Sequence, residues 1–163
     1  MVKEEPTPNI QTIKEALPIV DYQDTFAVTN HQDSIEEITR LIFGRMPGWA
    51  KALFTIRNYL VKFFGLKTDI STNNNHFVEG AYIGFFKIYH IYAHGVLMGV
   101  DDKHLNFRVS IYNSSQKYYN IKCSTLVQYN NSTGKIYMTL IKPFHRLIVK
   151  AMLKNAHIKN NIQ

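Results

Sequence analysis

The sequence predicts an α+β fold in which a curved antiparallel sheet wraps around a long C-terminal helix, with two helices after the first strand. Three observations predict it. Residues 82–141 read as a succession of strand-like runs joined by short turns rich in Asp, Asn and Ser. An amphipathic stretch that opens at Pro143 closes the chain. A sheet of that length must cover its apolar face, and the last helix is the natural cover.

Each element has its own signal. Residues 1–18 contain three prolines and no clear period, and read as a leader with little fixed order. The domain proper is expected over 19–157, with a polar tail at 158–163. In residues 21–30, Tyr22, Asp24, Phe26 and Val28 share one face of a short β-rich run, the first strand. Asp33 or Ser34 then starts a helix whose positive end receives Glu36 and Glu37. Its stripe is Ile35, Ile38, Leu41 and Ile42, and Gly44 with Pro47-Gly48 ends it. A second helix is expected from Trp49 to Phe64, with Trp49, Leu53, Ile56, Leu60 and Phe63 on its apolar side. An Asn-rich loop follows. Strands are expected over 82–92, 95–100, 104–112, 118–129 and 134–141. The last helix carries Phe144, Leu147, Ile148, Ala151 and Met152 at i, i+3, i+4, i+7 and i+8.

Composition narrows the function classes. The chain has 163 residues, 45% apolar and 19% charged, enough for one folded domain. A single cysteine, Cys123, excludes an internal disulfide framework. The start lacks the apolar core of a secretory signal, and no run approaches the ~18 apolar residues of a membrane span. A soluble, cytoplasmic protein is expected. The net charge of +7 is unevenly spread. Residues 1–37 hold eight acids against two lysines, whereas from Lys103 onward there are ten basic residues and no acid. Such a half attracts anions: acidic lipid, a ligand phosphate or carboxylate, or the protein's own acidic N-terminal segment.

Several stretches resemble a known family. "MPGWAKALFTIRNYLVKFFGLK", "GVDDKHLNFRVSIY" and "STLVQYNNSTGKIYMTLIKPFHRLIVKAML" look like the bacterial domain-of-unknown-function family 2867, over residues 20–155. That family is similar to the START-like, helix-grip superfamily. The resemblance implies a sheet gripping a C-terminal helix, often with a ligand cavity between them, and brings no activity with it. The family pattern often has aspartate where this chain has Asn106. An amide supplies no charge to a neighbouring histidine, which weakens an acid–base role for His104.

Candidate binding residues follow from pattern. His104, Asn106 and Arg108 alternate on one strand face, with the outer two ~13 Å apart. They line one wall of a cleft or form a solvated cross-strand network. The segment "IKPFHRL" reads as a helix start, whose free N–H groups and positive end favour an anion, helped by Lys142, His145 and Arg146. No capping side chain precedes Pro143, so those donors fall to an internal or water cap, to an acid from elsewhere such as Asp24, or to a bound anion. Trp49 and the basic residues around it would suit either core packing or an interfacial helix. No zinc-type, hydrolase or phosphate-loop motif occurs, so neither metal nor cofactor is expected, and no catalytic residue is assigned. No nucleic-acid motif accompanies the charge, and nucleic acid is not expected as a partner. Nothing in the sequence sets an oligomeric state.

The expected function is a pocket for a small apolar or amphipathic, anionic molecule between sheet and last helix. The alternatives are a cyclase- or isomerase-type enzyme using His104 or His145, and a protein that applies its basic half to an acidic membrane surface or partner.

Overall fold

The structure, a computed structural model, describes residues 1–44 and 76–157. The elements in chain order are β1 (Lys3–Glu4), α1 (Gln11–Lys14), β2 (Tyr22–Val28), α2 (Ile35–Gly44), β3 (Tyr82–Ile83), β4 (Phe86–Tyr92), β5 (Gly95–Asp101), β6 (Leu105–Asn113), β7 (Ile121–Tyr129) and α3 (Ser132–Ala156). The second helix expected at Trp49–Phe64 and the tail at 158–163 lie outside the described residues.

The strands form one seven-stranded antiparallel sheet in the order β1-β2-β7-β6-β5-β4-β3. β3 to β7 meander, and the first long strand, β2, returns to pair with the last, placing Asp24 opposite Thr125 and Phe26 opposite Cys123. Alternation then fixes two faces. Phe26, Val28, Ile88, Val96, Met98, Val109, Ile111, Ile121 and Cys123 face one way, where Ile38 and Ile42 of α2 and Met152 and Leu153 of α3 close the core. This is the α+β, helix-on-sheet arrangement that the sequence predicts.

The other face is more polar. Ile13 of α1 and Leu17 settle on Leu126. Beside them Thr25 and Ser124 share a buried 2.8 Å hydrogen bond, and Tyr92 reaches Ser110 at 2.9 Å. Residues 1–17, read from sequence as a leader, thus contribute an edge strand and a short cover for this face.

Helix α2 starts as its sequence predicts. The Ser34 hydroxyl accepts from the Glu37 N–H, while the Glu37 carboxylate accepts from the Ser34 N–H, a reciprocal capping box. Ser34→Ala should lower stability by about 1 kcal/mol, read as an earlier urea midpoint with unchanged slope.

Three boundaries differ from expectation. The run at 82–92 is a β3–β4 hairpin that turns at Gly84, with φ +62°. The seventh strand starts at Ile121 instead of 118, because Tyr119 turns the chain with φ +54° and donates its N–H to Thr29. The strand expected at 134–141 is absent: these residues are the first half of α3. That helix starts eleven residues before Pro143, capped by Asn131, whose Oδ1 accepts from Gly134 N. Ile136, Tyr137, Thr139 and Ile141 are strand formers by propensity, but burial of Gly134, Tyr137 and Met138 follows the helical period. Pro143 therefore sits inside the helix, not at its first position. The proline and Thr139, whose carbonyl loses its donor, are both exposed, so water can serve that carbonyl.

Candidate functional site

Tyr22, Asp24, Phe26 and Val28 of β2 share the face turned toward α3, and one of them is a carboxylate beside aromatics. Tyr22 and Phe26 flank Asp24 on this face, and Thr125 of β7 stands opposite it. The Asp24 side chain is 1% exposed. Its Oδ2 accepts from the Tyr22 hydroxyl at 2.6 Å. From above, α3 brings His145, whose Nε2 lies 3.6 Å from the same oxygen, and Arg146, whose Nη1 lies 4.0 Å away. The imidazole meets Tyr22 and Phe107 edge-on, with ring centroids 6.4 and 6.0 Å away.

Charge and burial compete at Asp24. Burial alone would raise its carboxyl, but the His145 imidazole and the hydroxyls of Tyr22 and Thr125 outweigh it, and the group titrates below the usual carboxylate range. Tyr22 moves the other way, raised by burial and by the carboxylate that its hydroxyl serves. Asp24 is therefore an anion at neutral pH and Tyr22 a neutral donor. Asp24 Oδ1, Thr125 Oγ1 and His145 Nε2 are all buried and make no hydrogen bond of normal length within the protein; the imidazole stands 3.6 Å from the other Asp24 oxygen. Three such atoms side by side form a small polar centre in an apolar interface.

Cations ring this centre. Lys142, Arg146 and Lys150 follow one another at i, i+4 and i+8 on α3. Lys142 stands 5.1 Å above the Tyr22 ring, and Arg146 and Lys150 each stand 5.1 Å from the Phe26 ring. Arg146 also donates to Glu4 of β1 at 2.5 Å, and Lys122 pairs with Glu5. The acidic N-terminal segment thus answers part of the basic half.

The sequence-selected residues fall into separate places. His145 and Arg146 meet at the Asp24 centre. They stand in mid-helix, so the anion site expected from free N–H groups at "IKPFHRL" is not formed: those donors are satisfied within α3, which begins at Ser132. His104, Asn106 and Arg108 do not join them. Phe107 touches His145 on the α3 side of the sheet, so Asn106 and Arg108 look the opposite way. Arg108 donates to Asp101 at 2.7 Å and lies 4.0 Å above the Tyr89 ring. Asn106 accepts from Asn130 at 3.1 Å, and His104 Nδ1 pairs with the α3 cap, Asn131, at 3.1 Å. Trp49 lies outside the described residues. Tyr22 and Thr125 were not legible as site residues; the signal in reach was a lone acid on the apolar face of the first strand. Among the described residues, no group of three or more His, Cys, Asp or Glu side chains gathers as a metal site would require.

A family model described as "Protein of unknown function (DUF2867)" matches residues 16–152. No curated protein and no solved structure matches the chain.

Proposed function

We propose, from the premise that the chain belongs to the DUF2867 family, that it is a START-like binding module for a small amphipathic, anionic molecule held between the sheet and α3. One observation carries the reading: the Asp24 carboxylate is buried between sheet and α3, and Asp24 Oδ1, Thr125 Oγ1 and His145 Nε2 beside it make no hydrogen bond of normal length within the protein. Burying a carboxylate costs several kcal/mol that long contacts such as the 3.6 Å approach of His145 only partly offset, which favours a ligand that completes its hydrogen bonds. Phe26 and Phe107 offer apolar walls to its body. A hydroxyl on its polar end would donate to Asp24, and an acidic group would be answered by Lys142 and Lys150.

The test is native mass spectrometry of protein purified from its own host, followed by denaturing extraction. A stoichiometric small molecule is expected on the wild-type chain, and its occupancy should fall about tenfold or more in His145→Ala, which removes one polar partner and one wall. A wild-type chain that carries nothing, or a ligand retained in full by the folded variant, would sink the proposal.

A second reading is favoured by the imidazole–carboxylate pair itself. His145 beside Asp24 and Tyr22 has the makings of a general acid–base centre for an isomerase or cyclase. It predicts that the extracted molecule is converted by the wild-type protein, and is bound but left unchanged by His145→Gln.

A further inference from the structure

Helix α3 shows the solvent an unusual face. Ile136, Leu140, Phe144 and Leu147 are 55%, 54%, 45% and 57% exposed. At 100° per residue they fall within an arc of about 80°, so they form one crest rather than scattered exceptions. The other large exposed apolar side chains among the described residues, such as Ile19, Val78 and Tyr118, are dispersed along the chain.

The charge beside this crest has one sign. From Ser132 to Ala156 the helix carries Lys135, Lys142, Arg146, Lys150 and Lys154 and no acid. On the same count Lys154 lies in line with the crest, Lys150 about 40° and Arg146 about 80° outside its edge, and Lys142 about 120° round the helix, over Tyr22 of the sheet. Only Arg146 of these stands within 4.0 Å of carboxylates of the described residues, those of Glu4 and Asp24. Lys135, Lys142 and Lys154 are exposed. Apolar crest and cations thus share the outward half of the helix, with Lys154 in the line of the crest and Lys150 beside it.

We propose that this face of α3 docks on an anionic lipid bilayer, lying in the interface with Leu140 and Leu147 sunk among the acyl chains and the lysines reaching the lipid phosphates. Two features favour a bilayer over a protein partner. The face offers charge of a single sign and no acid to orient a partner, which an anionic surface does not require. The lysine stems are long enough to keep the ammonium groups at phosphate level while the crest sinks. No described helix is long and apolar enough to cross a membrane, so the mode is lying on the surface. Such docking would set the Asp24–His145 centre, which lies under the same helix, at the membrane surface.

The experiment is sedimentation of the full chain with vesicles of phosphatidylcholine alone and of phosphatidylcholine mixed with phosphatidylglycerol. Binding is expected only to the mixed vesicles and is expected to fall steeply with salt. Leu140→Asp and Leu147→Asp should each weaken it about tenfold or more. Lys154→Gln, at an exposed position in line with the crest, should weaken it about fivefold. Val78→Asp, an exposed apolar site elsewhere, should leave it unchanged. Failure to bind the mixed vesicles overturns the proposal, as does binding that survives both aspartate variants. If those two variants lose their fold while Lys154→Gln binds as wild type, the crest is covered by the protein itself, and the proposal fails.

Discussion

Asp24→Ala is expected to lower stability at neutral pH by about 2–3 kcal/mol. The side chain is almost wholly buried, and its oxygen takes the Tyr22 hydroxyl at 2.6 Å with His145 and Arg146 nearby. A hydrogen bond to a charged group contributes about 1.5–3 kcal/mol, while the approach of Arg146 and of the His145 imidazole is largely offset by the cost of removing the carboxylate from water. For a chain of this length the melting temperature should fall by about 2–4 °C per kcal/mol. Asp24→Asn separates charge from shape, since the amide oxygen still accepts from Tyr22. The Asp24 carboxyl titrates lower in the folded chain than in the unfolded one, whose usual value is 3.8. Its contribution is therefore complete above that value and is lost as pH falls through the lower folded-state value. The stability gap between wild type and Asp24→Asn should close in acid, and denaturation at a series of pH values measures it. A gap that stays constant down to about pH 2 would mean that the carboxylate charge is not what stabilises. An Asp24→Asn protein more stable than wild type would mean that desolvation outweighs the pairings, as expected of a residue retained for binding rather than for stability.

The strands were legible because one face of each is buried, so a slip of one residue would expose its apolar set. Tyr22–Val28 and Leu105–Asn113 carry that alternation plainly, and "DSIEE" carries its own cap. The segment 134–141 misled because its exposed positions are apolar as well. With Ile136 and Leu140 outside and Tyr137 and Met138 inside, the helical contrast blurs and β-rich composition dominates. Pro143 then resembled a start, although a proline on the wet side of a helix can stand within it. The pairing of Asp24 with His145 and Arg146 follows from sequence chemistry, a lone acid seeking hydrogen-bond donors, but its geometry rests on side chains crossing from sheet to helix rather than on a helix end. The polar row of β6 was visible as a row. Which side it faces depends on where α3 lies, and that is a tertiary fact no strand contains.

Gly134→Ala is expected to reverse the usual sign of a helical glycine substitution. Within an ordinary helix the change stabilises by up to about 1 kcal/mol, through propensity. Here a methyl group would stand 2.0 Å from the carbonyl oxygen of His104 and 2.8 Å from its carbonyl carbon. Both obstacles are backbone, so no rotamer change relieves them. The same carbonyl already accepts from Asn130 N, and Asn131 Oδ1 joins the Gly134 N–H to the His104 ring. The first turn of α3 and the start of β6 are therefore tied at several points within a few ångströms, and moving one strains the rest. We expect a loss of about 2–4 kcal/mol, beyond the propensity gain, seen as an earlier denaturation midpoint with helical signal retained in the native baseline. Asn131→Ala in the same chain should add less than it removes from wild type, because the alanine at 134 has already displaced the turn that it caps. Stabilisation by Gly134→Ala would instead mean that the helix does not meet β6 this closely. The cap at Asn131 would then lose its link to His104, and the position of His145 over Asp24, set by the same helix, would lose one of its supports.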